Sequence, residues 1–189
     1  FVMGSHLHKI LSLGKDSNLE RRSSRSKNNE IINQDEWDLM GKAGFRFVLF
    51  GLESANQKTL DRVNKNIKVE QIPEGAKMAK KAGLEPHITS MIGYPWESND
   101  DARNTINLAK DLFKNGCVDS LQATIVIPYP GTLLYDECKK NGWLLTEDWD
   151  KYDMRGAVMQ TPMNNCDIKE LTQGLYKSFV SPQFIFKKV

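Results

Sequence analysis

The alternation of apolar and polar positions is clearest in residues 85–98. The first eight of these residues alternate with a period of two, which predicts a strand with one buried face. The two predicted faces carry Pro86, Ile88, Ser90 and Ile92 on one side and His87, Thr89 and Met91 on the other. Gly93 is expected to end the strand, because glycine tolerates backbone angles that other residues avoid. Ser98 and Asp101 have the spacing of a capping box, which predicts the start of a helix.

The same order of elements recurs on both sides of this strand. The predicted elements are a helix from 33 or 35, a strand at 45–50, a short helix at 56–63, a helix at 69–82, the strand at 85–92, a helix from 98 that stops at 115–116, a strand at 120–127 and a helix at 133–140. Alternating strands and helices imply parallel strands joined by helical crossovers. The nearly continuous apolar runs at 47–50 and 123–127 predict a sheet that is covered on both faces.

Three units follow from this pattern. Residues 1–30 contain a polar, basic run and are predicted to form a poorly defined arm, with a phosphate-binding patch or a degraded strand as the alternatives. Residues 31–142 form the regular α/β unit. Residues 143–189 form an extension with a loop-rich start, a helix at 166–180 and a short apolar segment at 184–186 that docks on the body. The packing anchors expected in the loop-rich part are Trp143, Trp149, Tyr152 and Met154.

Composition narrows the class of protein. The chain has 189 residues, 40% of them hydrophobic and 26% charged, as in soluble globular proteins. Its formal net charge of +2 is too small to indicate binding to nucleic acid or to a membrane surface. No apolar run approaches the roughly 20 residues that a membrane span requires. Three cysteines do not make a disulfide framework, so the expected location is the reducing cytoplasm.

The loops after the three predicted strands carry the most specific motifs. They read GLESANQ at 51–57, IGYPWES at 92–98 and PYPGT at 128–132. In this order they resemble radical S-adenosylmethionine (SAM) enzymes, most closely the cobalamin-binding and methylthiotransferase branches, whose patterns are G-x-E-S-G-x-Q, V-G-x-P-G-E-T and R/Y-P-G-T. Ala55 and Trp96 stand where those patterns have glycine. The resemblance implies the C-terminal portion of a (β/α) TIM-like barrel, followed by the loop-rich segment and the last helix.

The resemblance also implies a SAM site at the carboxyl ends of the strands. Its expected residues are Glu53, Ser54, Thr89, Ile92, Gly93, Tyr94, Pro128, Pro130 and Gly131. Glu53, with Ser54 beside it, would approach the ribose, because a carboxylate can accept both ribose hydroxyls. Thr89 falls where the family has a polar contact to the ribose or to the methionine part of SAM. Residues 92–94 would face the adenine mainly through backbone groups. Residues 128–131 would form the other wall of the adenine site. Other interpretations stay open: Glu53 as a helix cap, Tyr94 and Trp96 as packing residues, and His87 as a structural histidine.

The family's iron–sulfur motif is missing from this sequence. Radical SAM enzymes hold a [4Fe–4S] cluster with C-x₃-C-x₂-C, whereas the three cysteines here are Cys117, Cys138 and Cys166. We therefore expect no cluster, no metal ligand and no catalytic residue in this chain. The expectation is a fragment or truncated copy that is inactive alone, from a parent that catalyses a radical methylation or methylthiolation.

Two other functions remain open at this point. One is a non-catalytic α/β half-barrel that acts as an interaction module, and the other is a barrel fragment that binds a phosphate or nucleotide. A barrel cut across its sheet leaves an unpaired edge at the strand predicted for 45–50. Self-association through that edge is therefore expected, besides the small-molecule cofactor.

Overall fold

The structure, a computed structural model, describes residues 32–176. The arm predicted for 1–30 and the apolar segment predicted at 184–186 lie outside these residues. The elements are α1 (Gln34–Lys42), β1 (Phe47–Glu53), α2 (Gln57–Arg62), α3 (Gln71–Lys81), β2 (Glu85–Ile92), α4 (Asn99–Lys114), β3 (Ser120–Ile125), α5 (Leu133–Lys140), a short 3-10 helix (Trp149–Lys151) and α6 (Asn165–Tyr176). In the described part of the chain, no helix is long and apolar enough to cross a membrane.

The three strands form one parallel sheet in the order β1-β2-β3. Leu49 of β1 lies opposite His87 of β2, which in turn lies opposite Ser120 of β3. The predicted α/β fold with parallel strands is confirmed, and the open sheet with its helices is part of a TIM-like (β/α) barrel. β1 is an edge strand of the sheet among the described residues. Self-association through this edge stays a prediction.

Helices cover one face of the sheet. The buried core on this face includes Leu52, Ile72, Ala76, Ile88, Ile92, Ala102, Ile106, Ala109, Phe113, Leu121, Ile125, Ile168 and Leu175. The alternation predicted for β2 is confirmed, because its four residues on this face are all buried. The helix stripe predicted after Ser98 is also buried as expected.

The other face of the sheet, here called the open face, is only partly covered by the described residues. Phe47 is 54% exposed, and its neighbours on this face are half-buried or exposed. The prediction that both faces are covered is therefore wrong for this part of the chain. An apolar run places apolar side chains on both faces of a strand, whether or not another element covers each face. The polar side chains on this face, such as Thr89 of β2 and Gln122 of β3, are the better indicator of an open surface.

Some strand limits differ from the prediction. β1 begins at Phe47 and continues to Glu53, because Gly51 still pairs with Thr89 before the register shifts. A glycine that was expected to start a loop therefore lies inside the strand. β3 ends at Ile125 rather than at 127, although Val126 still donates a hydrogen bond to the Ile92 carbonyl (2.9 Å).

Two helix starts are set by local capping. Asn33, rather than Asp35, caps α1 in a capping box with Glu36. Ser98 caps α4 in a capping box with Asp101, as predicted. Each box satisfies amide groups at the helix start that have no partner within the helix.

The loop-rich extension packs through fewer anchors than expected. Tyr152 is buried with Ile127 and Val158, and Trp143 is half-buried. Trp149 is 56% exposed and Met154 is 42% exposed, so these two are not buried anchors. Trp149 instead stacks against neighbouring aromatic rings at the surface. After this segment, α6 returns to the sheet and places Ile168 and Leu175 in the core.

Candidate functional site

The carboxyl ends of the three parallel strands lie along one edge of the sheet. The loops that leave this edge are the first rim loop (54–56), the second rim loop (93–98) and the third rim loop (126–132). Ligands of open α/β sheets and of barrels bind at this edge. The structure therefore brings together, at one rim, the three motifs that start at residues 51, 92 and 128 of the sequence.

Glu53 ends β1 in an unusual backbone conformation, with φ of 54°. Its Oε1 atom accepts a bond from Lys65 Nζ at 2.8 Å, in an ion pair that is largely shielded from water. A Cβ on Gly51 would lie 2.5 Å from Glu53 Oε1 and 2.6 Å from Lys65 Nζ. The two charged groups thus occupy the space that a side chain at 51 would fill, on the open face. Glu53 pairs with Lys65, and Asn56 is the residue at the start of α2, where no side chain provides a cap hydrogen bond.

Lys65 is not among the residues predicted from the sequence. It lies between Asn64 and Asn66, which have φ values of 54° and 56°. Asparagine tolerates this left-handed conformation better than most residues, so the Asn-Lys-Asn tripeptide permits the tight turn. The turn directs the lysine back to the end of β1. The only signal in the sequence is this pair of asparagines around a basic residue directly after a short helix.

Thr89 lies on the open face beside Gly51, and its hydroxyl donates a hydrogen bond to the Phe50 carbonyl at 3.4 Å. His87 lies two residues further from the rim. Its Nδ1 atom is 2.7 Å from the Ser120 hydroxyl, and its ring packs against Phe47. Burial lowers the pKa of His87. These contacts support the structural interpretation of His87.

Ser54 is fully buried and faces α4 rather than the open face. Its hydroxyl lies 3.3 Å from the Thr105 hydroxyl and accepts a bond from the Asn56 N–H at 3.2 Å. The Ala55 N–H donates to the same Thr105 hydroxyl at 3.0 Å. These bonds hold the first rim loop on α4, which explains the polar residue after Glu53 without a ligand contact.

The second rim loop is organised by Glu97, which sequence analysis did not select. Its carboxylate is fully buried, and Oε2 accepts a bond from the Gly93 N–H at 2.7 Å. The other oxygen of this carboxylate, Oε1, has no hydrogen-bond partner among the described residues. Burial raises the pKa of Glu97 to about 7. The sequence signal for this role is the acidic residue of the motif, Glu97. A carboxylate four residues after a glycine can reach back to the amide groups of the loop.

The other residues predicted in this loop are buried. Ile92 and Gly93 pack near Ile168, and Gly93 has φ of 100°, which few other residues adopt. Tyr94 lies in an apolar cluster with Val126, Cys138 and Met159, so the packing interpretation holds for its side chain. Burial and the negative charges of Glu53 and Glu97 raise the pKa of Tyr94 far above its ordinary value.

The third rim loop forms the remaining side of the rim. Pro128 is buried, whereas Pro130 and Gly131 are exposed. The Tyr129 hydroxyl donates to the Tyr152 carbonyl at 3.2 Å, which ties the loop to the extension. Thr132 then caps α5, accepting a bond from the Tyr135 N–H at 3.3 Å. The loop therefore has a fixed course with an exposed Pro-Gly tip.

The positions of the three cysteines do not suit an iron–sulfur cluster. Cys117 is buried before the amino end of β3, Cys138 is buried in α5 against Met159, and Cys166 is exposed on α6. Across residues 32–176, no three histidine, cysteine or acidic side chains are grouped in a way that could hold a metal ion. A cluster of the radical SAM type requires three converging thiolates, so the cysteines present do not fit this group.

Comparisons with known proteins show which family this sequence resembles. A family model described as Radical SAM superfamily matches residues 7–109. An uncharacterized methyltransferase of Pyrococcus horikoshii is 31% identical over 179 residues, which cover 93% of this chain and 38% of the relative. The bacteriochlorophyllide d C-8(2)-methyltransferase of Chlorobaculum tepidum is 31% identical over 121 residues, 63% of this chain and 26% of the relative. This chain thus spans less than two fifths of the length of either relative.

A solved structure shares the fold. Elp3 of the archaeon Methanocaldococcus infernus, with an N-terminal deletion, matches 78% of this chain and 39% of its own with a TM-score of 0.52. At 19% identity this likeness concerns the fold alone. The family model, in contrast, matches more than half of the sequence. The chain therefore belongs to the radical SAM superfamily.

Proposed function

We propose that this chain carries the SAM-binding rim of a radical SAM methyltransferase, with Glu53 as the ribose ligand. The observation that carries the proposal is the Glu53–Lys65 ion pair above Gly51, at the carboxyl edge of parallel strands. The strained backbone of Glu53 supports it, because such conformations concentrate at ligand sites.

The residues on the open face suit the chemistry of SAM. A carboxylate accepts both hydroxyls of a ribose, and Glu53 has one oxygen that is not bonded to Lys65 in the structure. Lys65 offers a positive charge to the carboxylate of the methionine part, and Thr89 offers a hydroxyl on the same face. When bound, SAM supplies the activated sulfonium group from which radical SAM enzymes start their chemistry.

The adenine would be enclosed by backbone of the second and third rim loops. The residues proposed for this role are Ile92, Gly93, Tyr94, Pro128, Pro130 and Gly131. Ser54 has a supporting role, because its hydroxyl is engaged inside the fold. The Gly93 N–H is engaged by Glu97, so recognition through the second loop would use carbonyl groups and shape rather than this amide.

Methyl transfer is the proposed reaction class because two relatives are methyltransferases by name. Cys117, Cys138 and Cys166 do not fit the [4Fe–4S] cluster. We therefore propose that this chain alone binds SAM without performing the radical step. Thiolates from outside this sequence would have to hold any cluster that works with the rim.

Isothermal titration calorimetry of the 189-residue chain tests the SAM site. We expect heat of binding with SAM and with S-adenosylhomocysteine, and weaker or no binding of AMP. Glu53→Gln should weaken binding about tenfold or more, since a hydrogen bond to a charged group contributes about 1.5–3 kcal/mol. The matched control is Glu85→Gln, which breaks the exposed ion pair with Arg46 at the opposite edge of the sheet and should leave binding unchanged.

The other outcomes identify the alternatives. A folded chain that gives no heat at millimolar SAM would overturn the proposal and favour the non-catalytic interaction module. Binding of AMP but not of SAM would favour a general nucleotide site. Equal losses for Glu53→Gln and Glu85→Gln would show that Glu53 has no specific role.

A further inference from the structure

Trp96 lies in the centre of a stack in the second rim loop. Its ring packs on that of Tyr94, with centroids 5.2 Å apart and an angle of 23° between the planes. The Arg62 guanidinium lies over the ring, with Cζ 3.8 Å from the ring centroid. The Trp96 Nε1 atom donates to the Thr59 hydroxyl at 3.3 Å. Arg62, Trp96 and Tyr94 together form the Trp96 stack.

The stack joins the elements that follow all three strands. Thr59 and Arg62 belong to α2, which starts directly after the first rim loop. Trp96 and Tyr94 belong to the second rim loop. Arg62 also forms an ion pair with Glu137 of α5, the helix that starts after the third rim loop. The stack therefore links α2 to the second rim loop through Trp96, and α2 to α5 through Arg62.

Tyr94 connects the stack to the proposed ligand site. Its hydroxyl donates to the sulfur of Met91 at 3.7 Å, and Met91 lies at the rim end of the open face. A displaced Trp96 would free Tyr94 to move and would loosen its contact with Met91 at the rim end of the open face.

Position 96 departs from the motif that the second rim loop resembles. The motif that the second rim loop resembles has glycine at this place, and glycine has no ring to stack. We propose that Trp96 is a positioning residue that sets the spacing of the three rim loops, because it ties the second rim loop to α2 and, through Arg62, to α5. This inference rests on the proposed SAM site.

Binding of S-adenosylhomocysteine at 10 °C, measured by calorimetry, tests the inference on variants whose circular dichroism matches that of the original chain. Trp96→Gly is expected to raise the Kd about tenfold or more. Trp96→Phe keeps an aromatic ring in the stack and should stay within about threefold, which is the rescue that a positioning role predicts. The matched control is Trp149→Gly, which removes an exposed, stacked tryptophan elsewhere and should leave the Kd unchanged.

Each result separates this inference from the proposed function. If the original chain does not bind S-adenosylhomocysteine, the proposed function fails. If it binds and Trp96→Gly binds equally well while melting at a lower temperature, Trp96 is only structural and the inference is overturned. Should Trp96→Gly not fold, Trp96→Leu and Arg62→Met replace it, since each breaks the stack but keeps apolar bulk. An unchanged Kd in both would equally overturn the inference.

Discussion

The buried Glu97 carboxylate makes the stability of this chain depend on pH in an unusual direction. Burial raises its pKa to about 7 from an ordinary value of 4.5. Below pH 4.5 Glu97 is protonated in both the folded and the unfolded chain. Between pH 4.5 and 7 the unfolded chain releases this proton while the folded chain retains it. The stabilising contribution present at low pH is therefore lost as the pH rises to about 7.

The size of this loss follows from the shift in pKa. A difference of one unit corresponds to about 1.4 kcal/mol, so the shift of Glu97 corresponds to about 3 kcal/mol above pH 7. Glutamine cannot ionise, and its carbonyl oxygen can still accept the Gly93 N–H. The free energy of unfolding of Glu97→Gln, relative to the original chain, should therefore increase by about 2–3 kcal/mol between pH 5 and pH 8.

Urea unfolding at pH 5, 6, 7 and 8 measures this difference. Trp37→Phe is the control, because it removes no titratable group and its difference from the original chain should not change with pH. A Glu97→Gln difference that is constant over the range would refute the reasoning, since Glu97 would then have the same pKa folded and unfolded. A decrease toward pH 8 would show that the hydrogen bond from the Gly93 amide outweighs burial.

Three further predictions concern the rim and the core. Gly51→Ala should weaken S-adenosylhomocysteine binding about tenfold in calorimetry, because the new Cβ displaces the Glu53–Lys65 pair. The melting temperature should change little. Unchanged binding would refute a role for this pair in the ligand site. Trp37→Phe should keep the free energy of unfolding within about 1 kcal/mol of that of the original chain, since the buried Trp37 Nε1 has no hydrogen-bond partner among the described residues. A loss above about 3 kcal/mol, measured by urea unfolding, would contradict this. Anaerobic reconstitution with iron and sulfide should give no stable visible absorbance, because the three thiols do not converge; a stable brown cluster would contradict the assignment.

Short-range patterns in the sequence determined much of the fold. The alternation in β2 and the capping box at Ser98 depend on residues within a few positions of one another, and the structure confirms both. Of the two helix starts predicted at 33 or 35, the structure selects Asn33. The order of strands and helices implies a parallel sheet, which places the three motif loops at one edge. Membership of the radical SAM superfamily follows from these same loops and from the family match at 7–109.

The tertiary structure alone decided how the side chains at that edge are used. Lys65 reaches Glu53 because two left-handed asparagines turn the chain back, a geometry that apolar patterns do not encode. Ser54 faces α4 because Thr105, 51 residues away, provides its partner. An apolar run likewise cannot show which face of a strand is covered, since covering depends on distant packing. Local periodicity therefore determined the elements, and long-range contacts determined the chemistry available at their ends.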